Sequence, residues 1–371
     1  MKFDKSVLKS DEKAIFELRS LYEKYGYSQY KMSRFEEYDL YVRNKDFLVS
    51  DNIISFTDTN GKLMALKPDV TLSIIKNSSD ADKSVRKLYY NENVYRVSKG
   101  SREFKEIMQV GLECIGDIDD YCIYEVLMLA SESLSGISED FVLDISHLGI
   151  VSALIDSVGL SPDGRARVLK CLGEKNVHGI NDICTGEGVS GDELSKLVML
   201  YGNPEKVLFG LDELSFEGAT VHINQLKRIV NMLTACGFGD RIRIDFSVIN
   251  DMNYYNGFVF KGFINGISAG ILSGGQYDNL MHKMGRRAGA IGFAVYLDLL
   301  ERLNADQSDF DVDTVILYDE NAELEVLNDA VRMLTANGKS VMAQRSVPDK
   351  IKYKQLLKLN ERGVEIIENN A

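Results

Sequence analysis

The sequence is poor in the residues from which metal sites and disulfide frameworks are built. It has no tryptophan, four prolines, four histidines and five cysteines among 371 residues. No two histidines are close enough for an HxxxH or HExxH pair, and the scattered cysteines form no CxxC. We therefore expect no dedicated metal site and no disulfide framework. Scattered, unpaired cysteines are typical of a reducing compartment, which predicts a cytoplasmic protein.

Long apolar runs and an excess of basic residues are also missing. No run approaches the roughly 20 apolar residues that a membrane span needs. The N-terminal MKFDKSVLKSDEK has no apolar segment, so no signal peptide is predicted. The formal net charge is −13, and lysines and arginines are interspersed with acidic residues along the whole chain. Such a surface repels phosphate backbones, so nucleic acid is a disfavoured partner.

Alternating hydrophobicity marks the most organised stretch, Arg241 to Gly275. It predicts an antiparallel meander with a type I′ turn at Asn265–Gly266. The predicted strands cover residues 242–248, 254–263 and 267–272. Tyr254 and Tyr255 would stand at the entrance of the second strand, facing opposite sides of the sheet. One of them could line a pocket, or both could simply be half-buried.

Earlier in the chain, a second group of strands carries polar residues. The predicted elements are a helix over 11–25, a hairpin of 53–57 with 63–67, a helix over 71–77, and strands over 87–97 and 107–115. Gln109 and Glu113 share one face of the last strand. A ligand bound over the sheet and a plain solvated face both fit this pattern.

Helical periodicity dominates from residue 120 to about 240, with 173–191 predicted as a loop within an inserted helical segment. Apolar spacing from Ala288 predicts another helix, which would contain Ile291 and Leu300. The C-terminal part predicts a β-α-β-α-β module, with its second helix over 348–361. That alternation implies a small, largely parallel sheet.

Five motifs occur in order: LKPDVT (66–71), VYRVSKGSREFKEIMQVGLECIG (94–116), NDMNYYNGFVF (250–260), ILSGGQYDNL (271–280) and AIGFAVYLDLL (290–300). Together they resemble the class II aminoacyl-tRNA synthetases, and among them the histidyl-tRNA synthetase-like group. The resemblance implies an α+β fold, with an antiparallel sheet, flanking helices and a helical insertion at about 160–238. It implies a core over 1–305 and a small α/β module over 310–371, similar to a shortened anticodon-binding domain.

The chain departs from that group where the group has arginines. Asn250, Gln276 and Leu299 stand at three such positions, whereas Arg96 of motif 2 remains. Attack on the α-phosphate of ATP needs fixed cations, and losing one such group typically costs about 10²–10³ in rate. The departures therefore imply that the chain is not an adenylating enzyme.

The resemblance carries the group's amino-acid pocket over onto this chain. Amino-group contacts fall on Asp69, Thr71 and Gln109, imidazole contacts on Glu113 and Tyr254 with Tyr255 beside them, and the remaining cation is Arg96. A histidine pocket without ATP chemistry is similar to the regulatory subunits of ATP phosphoribosyltransferase. That family implies histidine as ligand, a short-form catalytic subunit as partner, a homodimer within a hetero-oligomer, and no cofactor, tRNA or membrane partner. A true histidyl-tRNA synthetase and a free-standing histidine sensor remain as alternatives.

Overall fold

The structure is a computed structural model that describes residues 8–45, 48, 53–78, 84–98, 102–214, 218–249, 254–303, 310–360 and 363–370. The chain divides into two compact units, Met1–Leu303 and Asn304–Ala371. Each unit has its own sheet and its own hydrophobic clusters, and each is described by itself.

The strands of the first unit are β1 (Ser28–Gln29), β2 (Phe35–Glu37), β3 (Ser55–Thr57), β4 (Leu63–Leu66), β5 (Arg86–Val97), β6 (Phe104–Gly116), β7 (Phe141–His147), β8 (Tyr201–Gly202), β9 (Ile242–Asp245), β10 (Phe258–Ile264), β11 (Leu272–Gln276) and β12 (Gly289–Tyr296). In the described ranges, nine of them form one sheet in the order β1-β5-β6-β12-β11-β10-β7-β9-β8, and β2, β4 and β3 form a separate small sheet. Antiparallel pairing dominates the large sheet, but β1 with β5 and β7 with β9 are parallel pairs. The predicted sheet with flanking helices is present, and it is mixed rather than purely antiparallel.

The helices of this unit are α1 (Ser10–Lys24), α2 (Tyr38–Arg43), α3 (Thr71–Lys76), α4 (Asp120–Ile137), α5 (Leu148–Val158), α6 (Pro162–Gly173), α7 (Val177–Gly186), α8 (Asp192–Met199), α9 (Pro204–Asp212), α10 (Thr220–Leu233) and α11 (Asp278–Lys283). The apolar stripe of α4 lies in the main core together with Phe258, Phe260 and Phe293 of the sheet. Helices α1, α4 and α10 thus cover one face of the central strands. On each strand, the residues that alternate with these core residues project from the opposite face of the sheet.

Short-range patterns predicted many of these elements well. The helix at the N-terminus ends before Gly26, whose φ is 80°, and α3 begins at Thr71 as expected. The hairpin around Asn60–Gly61 is present, because β3 and β4 pair antiparallel.

The predicted meander is wrong in two respects. Strand β9 pairs with β7 in parallel, and β10 lies between β7 and β11, so β9 and β10 are not neighbours. Gly266 does form a tight turn, with the Ile267 amide donating to the Ile264 carbonyl at 3.1 Å. However, pairing with β11 resumes only at Gly262 opposite Leu272, so the connection is longer than a two-residue hairpin. Pairing between residues that are 99 to 123 positions apart in sequence decided this neighbour order.

Two further assignments are corrected in the first unit. Residues 289–296, predicted as helix, form the central strand β12, which pairs with β6 and β11. Its apolar residues fit helical spacing as well, but the hydrogen bonds to two neighbouring strands outweigh that local preference. The predicted loop 173–191 contains α7, where the Asn176 side chain accepts the Gly179 amide at 2.9 Å. Burial of Ile180 and Cys184 holds this helix in the main core.

The second unit contains β13 (Val312–Leu317), α12 (Leu324–Ala336), β14 (Val341–Gln344), β15 (Tyr353–Asn360) and β16 (Gly363–Asn369). Its sheet order is β14-β13-β15-β16, and the first two pairs are parallel. The helix predicted over 348–361 is wrong, because most of that stretch forms β15. Leu356 and Leu357 are buried on opposite faces of this sheet, in two different apolar clusters, which produces a run that resembles helical spacing.

Strand β15 offers a direct test of this packing. Leu357 is 4% exposed, whereas its neighbour Lys358 points to solvent. We expect Leu357→Ala to lower the free energy of unfolding of this unit by about 2–5 kcal/mol. The matched control Lys358→Ala should change it by about 0.5 kcal/mol or less. Urea denaturation of the full chain measures both, and equal losses for the two variants would contradict the strand register.

Candidate functional site

A cavity of about 630 Å³ lies on the face of the large sheet opposite α1 and α4, next to a second hydrophobic cluster in which α3 and α11 pack on the sheet. Residues from β5, β6, β10, β11 and β12 line it, together with the start of α3 and the segment before β10. All seven residues singled out from the sequence are among its lining: Asp69, Thr71, Arg96, Gln109, Glu113, Tyr254 and Tyr255. The structure therefore brings together residues that are separated by up to 186 positions in the chain.

Small residues make room for this cavity. A side chain on Gly292 would place its Cβ 1.9 Å from Oε2 of Glu113, and one on Gly111 would come within 2.5 Å of the Tyr90 hydroxyl. Both glycines lie on the cavity face of the sheet, where alternate residues of β6 and β12 project. The close approach of Glu113 to the backbone of β12 therefore requires glycine at position 292.

Glu113 is the centre of the site. Its side chain is almost fully buried and accepts hydrogen bonds from the Thr71 hydroxyl, at 2.8 Å, and from the Tyr277 hydroxyl. Burial raises the pKa of this carboxyl to about 8, although both hydrogen bonds act in the opposite direction. Burial therefore favours the protonated form of this carboxyl.

Asp69 forms the second acidic group of the cavity. Its carboxylate accepts the Leu72 amide at 2.9 Å, which fixes it at the beginning of α3. Burial raises the pKa of Asp69, while the hydrogen bond from Leu72 and the charge of Arg96 lower it. The LKPDVT motif thus places both Asp69 and Thr71 at the start of α3, where both side chains line the cavity.

Three tyrosines enclose the Glu113 end. The ring centroids of Tyr254 and Tyr255 are 4.5 Å apart, and Tyr277 lies 5.8 Å from Tyr254. The two adjacent tyrosines precede β10 rather than enter it, and both line the cavity, so the expectation of opposite orientations is wrong. Tyr277 was missed by sequence reasoning, although it lies within the recognised SGGQYDNL motif.

Among the residues that the structure describes, two cations line the cavity. Arg96 donates from Nε to the Pro68 carbonyl at 3.0 Å. Lys261, on β10, was not anticipated from the sequence. Gln109, on β6, is 3% exposed and lies on the same strand face as Glu113.

Two of the three positions that replace arginines lie outside the cavity lining. Gln276 uses its Oε1 to accept the Phe258 amide at 2.9 Å, which links β11 to the start of β10. Leu299 packs against the main core on the helical side. Asn250 lies outside the described residues.

The described ranges contain no cluster of three or more His, Cys, Asp or Glu side chains arranged to hold a metal ion. They also contain no helix that is both long and apolar enough to cross a membrane.

A family model for histidyl-tRNA synthetase matches residues 5–300, which is most of the chain. This protein belongs to the histidyl-tRNA synthetase family. Within the family, it is 25% identical over 366 residues to an ATP phosphoribosyltransferase regulatory subunit from Oceanobacillus iheyensis, covering 95% of this chain and 89% of that protein. The predicted resemblance to such regulatory subunits is confirmed.

Two solved structures share the fold of this family member. An ATP phosphoribosyltransferase regulatory subunit/histidyl-tRNA synthetase from Bacillus halodurans superposes with a TM-score of 0.77 at 24% identity, covering 96% of this chain and 99% of that one. A chain of the ATP phosphoribosyl transferase (HisG:HisZ) complex from Thermotoga maritima superposes with a TM-score of 0.63 at 20% identity, covering 77% and 97%.

The raised pKa of Glu113 predicts a pH-dependent cost to stability. The unfolded chain releases this proton near the ordinary value of 4.5, whereas the folded protein keeps it up to about pH 8. The stability that this group contributes is therefore full below about 4.5 and declines as the pH rises through 8. Glu113→Gln keeps a hydrogen-bonding amide but removes the titrating carboxyl. The melting temperature of this variant, relative to that of the parent, should therefore increase as the pH rises over this window.

Thermal unfolding without ligand, across that pH range, measures the difference. Glu17→Gln, at an exposed carboxyl on α1, is the matched control and should track the parent. A Glu113→Gln difference that stays constant with pH would contradict the burial of a titrating carboxyl.

Proposed function

We propose that this chain is the regulatory, non-catalytic subunit of ATP phosphoribosyltransferase, binding free histidine and controlling a short-form catalytic subunit in the first step of histidine biosynthesis. The observation that carries the proposal is a cavity that keeps the amino-acid-binding side chains while two arginine positions have become structural. The names of its relatives support the same assignment.

The chemistry of the cavity suits histidine. An imidazole has a pKa near 6.5 and the Glu113 carboxyl one of about 8, so a single proton shared between them makes a hydrogen bond in either form. Tyr254 and Tyr255 supply aromatic surface beside that ring. The amino group of the ligand would meet Asp69, Thr71 and Gln109, which can accept its hydrogen bonds.

We expect no adenylation because Gln276 and Leu299 have structural roles at two positions where the synthetases have arginine. Forming an aminoacyl adenylate concentrates negative charge on the α-phosphate, which requires preorganised cations. Gln276 is neutral and its oxygen is occupied by a backbone amide, while Leu299 belongs to the core. Neither position can supply such a cation.

Regulation requires a partner, because histidine binding changes activity only if it favours one state of an assembly. The Thermotoga maritima complex contains a chain of this fold together with ATP phosphoribosyl transferase, which supports a short-form catalytic subunit as the partner. We place the complex in the cytoplasm, with this chain as a homodimer inside the hetero-oligomer. Symmetric dimers are the commonest way such cores assemble.

Histidine titration of the purified chain tests the pocket. Glu113→Ala leaves an imidazole donor unpaired, which typically costs about 1–3 kcal/mol, so affinity should fall about 5- to 150-fold in calorimetry. Glu17→Ala, at an exposed site, should bind as the parent does. Unchanged binding by Glu113→Ala would place the histidine site elsewhere, and histidine-dependent ATP–pyrophosphate exchange would favour a true synthetase.

Reconstitution with a short-form catalytic subunit tests regulation. The catalytic chain should gain activity in the complex, and histidine should inhibit the complex. Glu113→Ala should assemble normally and resist inhibition, because coupling energies of about 1–3 kcal/mol depend on the ligand contact. Coupling is reciprocal, so phosphoribosyl pyrophosphate should shift histidine affinity in the parent complex. Failure to form any complex would favour a free-standing histidine sensor.

A further inference from the structure

Lys261 is a cation in the cavity that no part of the proposed histidine contacts uses. It lies on β10, where Phe258, Phe260 and Ile264 face the helical core and Lys261 and Phe263 line the cavity. Its ammonium group makes no hydrogen bond or ion pair with any residue that the structure describes. Since this half-buried cation has no partner among the described residues, it is available to an anionic group in the cavity.

The other cation is already engaged. The Arg96 guanidinium donates to the Pro68 carbonyl at 3.0 Å and stabilises the charge of Asp69, as the pKa of that carboxyl reflects. Asp144 is the register partner of Lys261 on β7, but the charged groups that act on Asp144 are Asp245, Arg243 and Lys175. Lys261 therefore does not serve as a counter-ion to either carboxylate.

The floor of the cavity lets the lysine extend toward the amino-acid contacts. Across the sheet, Lys261 lies opposite Ser273, which lies opposite Ala294, which lies opposite Gly111. Ser273 and Ala294 line the cavity, while the Tyr90 hydroxyl lies over Gly111, and the distance from Lys261 across to β6 is three strand spacings of about 4.8 Å, or about 14 Å. The residues on β6 to either side of Gly111, Gln109 and Glu113, are the proposed ligand contacts. A long, flexible side chain on one side and an amino acid on the other can span this distance.

We propose that Lys261 binds the carboxylate of the amino-acid ligand and so selects zwitterionic α-amino acids over amines that carry the same side chain. This inference rests on the proposed histidine site and adds its anionic end. Asp69 and Glu113 then hold the amino group and the ring, while Lys261 pairs with the opposite charge. The pairing is an ammonium–carboxylate hydrogen bond, the kind that a lysine makes as a point charge.

A ligand pair isolates this contact. Histamine has the imidazole and the amino group of histidine but no carboxylate. Calorimetry on the full chain should show histidine binding at least about tenfold more tightly than histamine in the parent. Lys261→Met should lose about tenfold or more in histidine affinity and leave histamine affinity unchanged, which removes the preference. Lys261→Arg should retain part of it, and Lys24→Met, on the exposed part of α1, should behave as the parent.

The outcomes separate this proposal from the one on which it rests. If Glu113→Ala weakens histidine binding but Lys261→Met does not, the histidine site stands and the role of Lys261 is refuted. If Lys261→Met weakens histidine and histamine equally, the lysine supports the cavity structurally and does not bind the carboxylate. If the parent binds neither ligand, both proposals fail. An unchanged melting temperature for Lys261→Met shows that loss of affinity is not loss of folding.

Discussion

The burial of one carboxyl group organises this site. The Glu113 carboxyl is buried on one face of the sheet, where removing it from water costs free energy. Hydrogen bonds from two hydroxyl groups offset part of that cost. Those donors come from different segments: Thr71 begins α3, and Tyr277 follows β11. The carboxyl thus ties together three motifs that are far apart in sequence. The raised pKa of Glu113 shows that these hydrogen bonds offset the desolvation cost only in part. A ligand that shares a proton with the carboxyl would add a further hydrogen bond.

The two faces of the sheet divide the work between stability and binding. The helical core contains Val110 and Leu112 of β6 and Phe293 and Val295 of β12. Gln109 and Glu113 alternate with Val110 and Leu112 along β6 and line the cavity on the other face. Gly292 and Ala294 occupy the cavity-facing positions of β12, and their small size leaves space above the sheet. One face can therefore pack against the helical core while the other carries the cavity beside a second hydrophobic cluster that includes Ile115 and Ala290, because successive side chains on a strand point in opposite directions.

The replaced arginine positions show how this family member keeps its scaffold. Gln276 joins two strands because its side-chain Oε1 accepts the Phe258 amide, and a Cβ added at the neighbouring Gly257 would come within 1.9 Å of that oxygen. Leu299 adds apolar area to the core. At these two positions, groups with no positive charge support the fold that frames the cavity.

The sequence by itself determined the features that depend on neighbouring residues. The end of α1 at Gly26, the Asn60–Gly61 hairpin and the apolar stripe of α4 follow from local backbone and packing preferences. Gln109 and Glu113 could also be placed on one face, since a period of two fixes their side. Motif resemblance then supplied the rest of the predicted pocket lining.

Only the tertiary structure decided the features that depend on pairing between distant segments. Residues 289–296 and 353–360 carry apolar spacing that fits a helix, yet hydrogen bonds to strands on both sides make them strands. The order of β9, β7 and β10 likewise depends on partners that local patterns do not specify. Tyr277 and Lys261 reach the site through the same pairing, 164 and 148 residues after Glu113. Their position in the cavity lining is a property of the sheet, which no single stretch of sequence encodes.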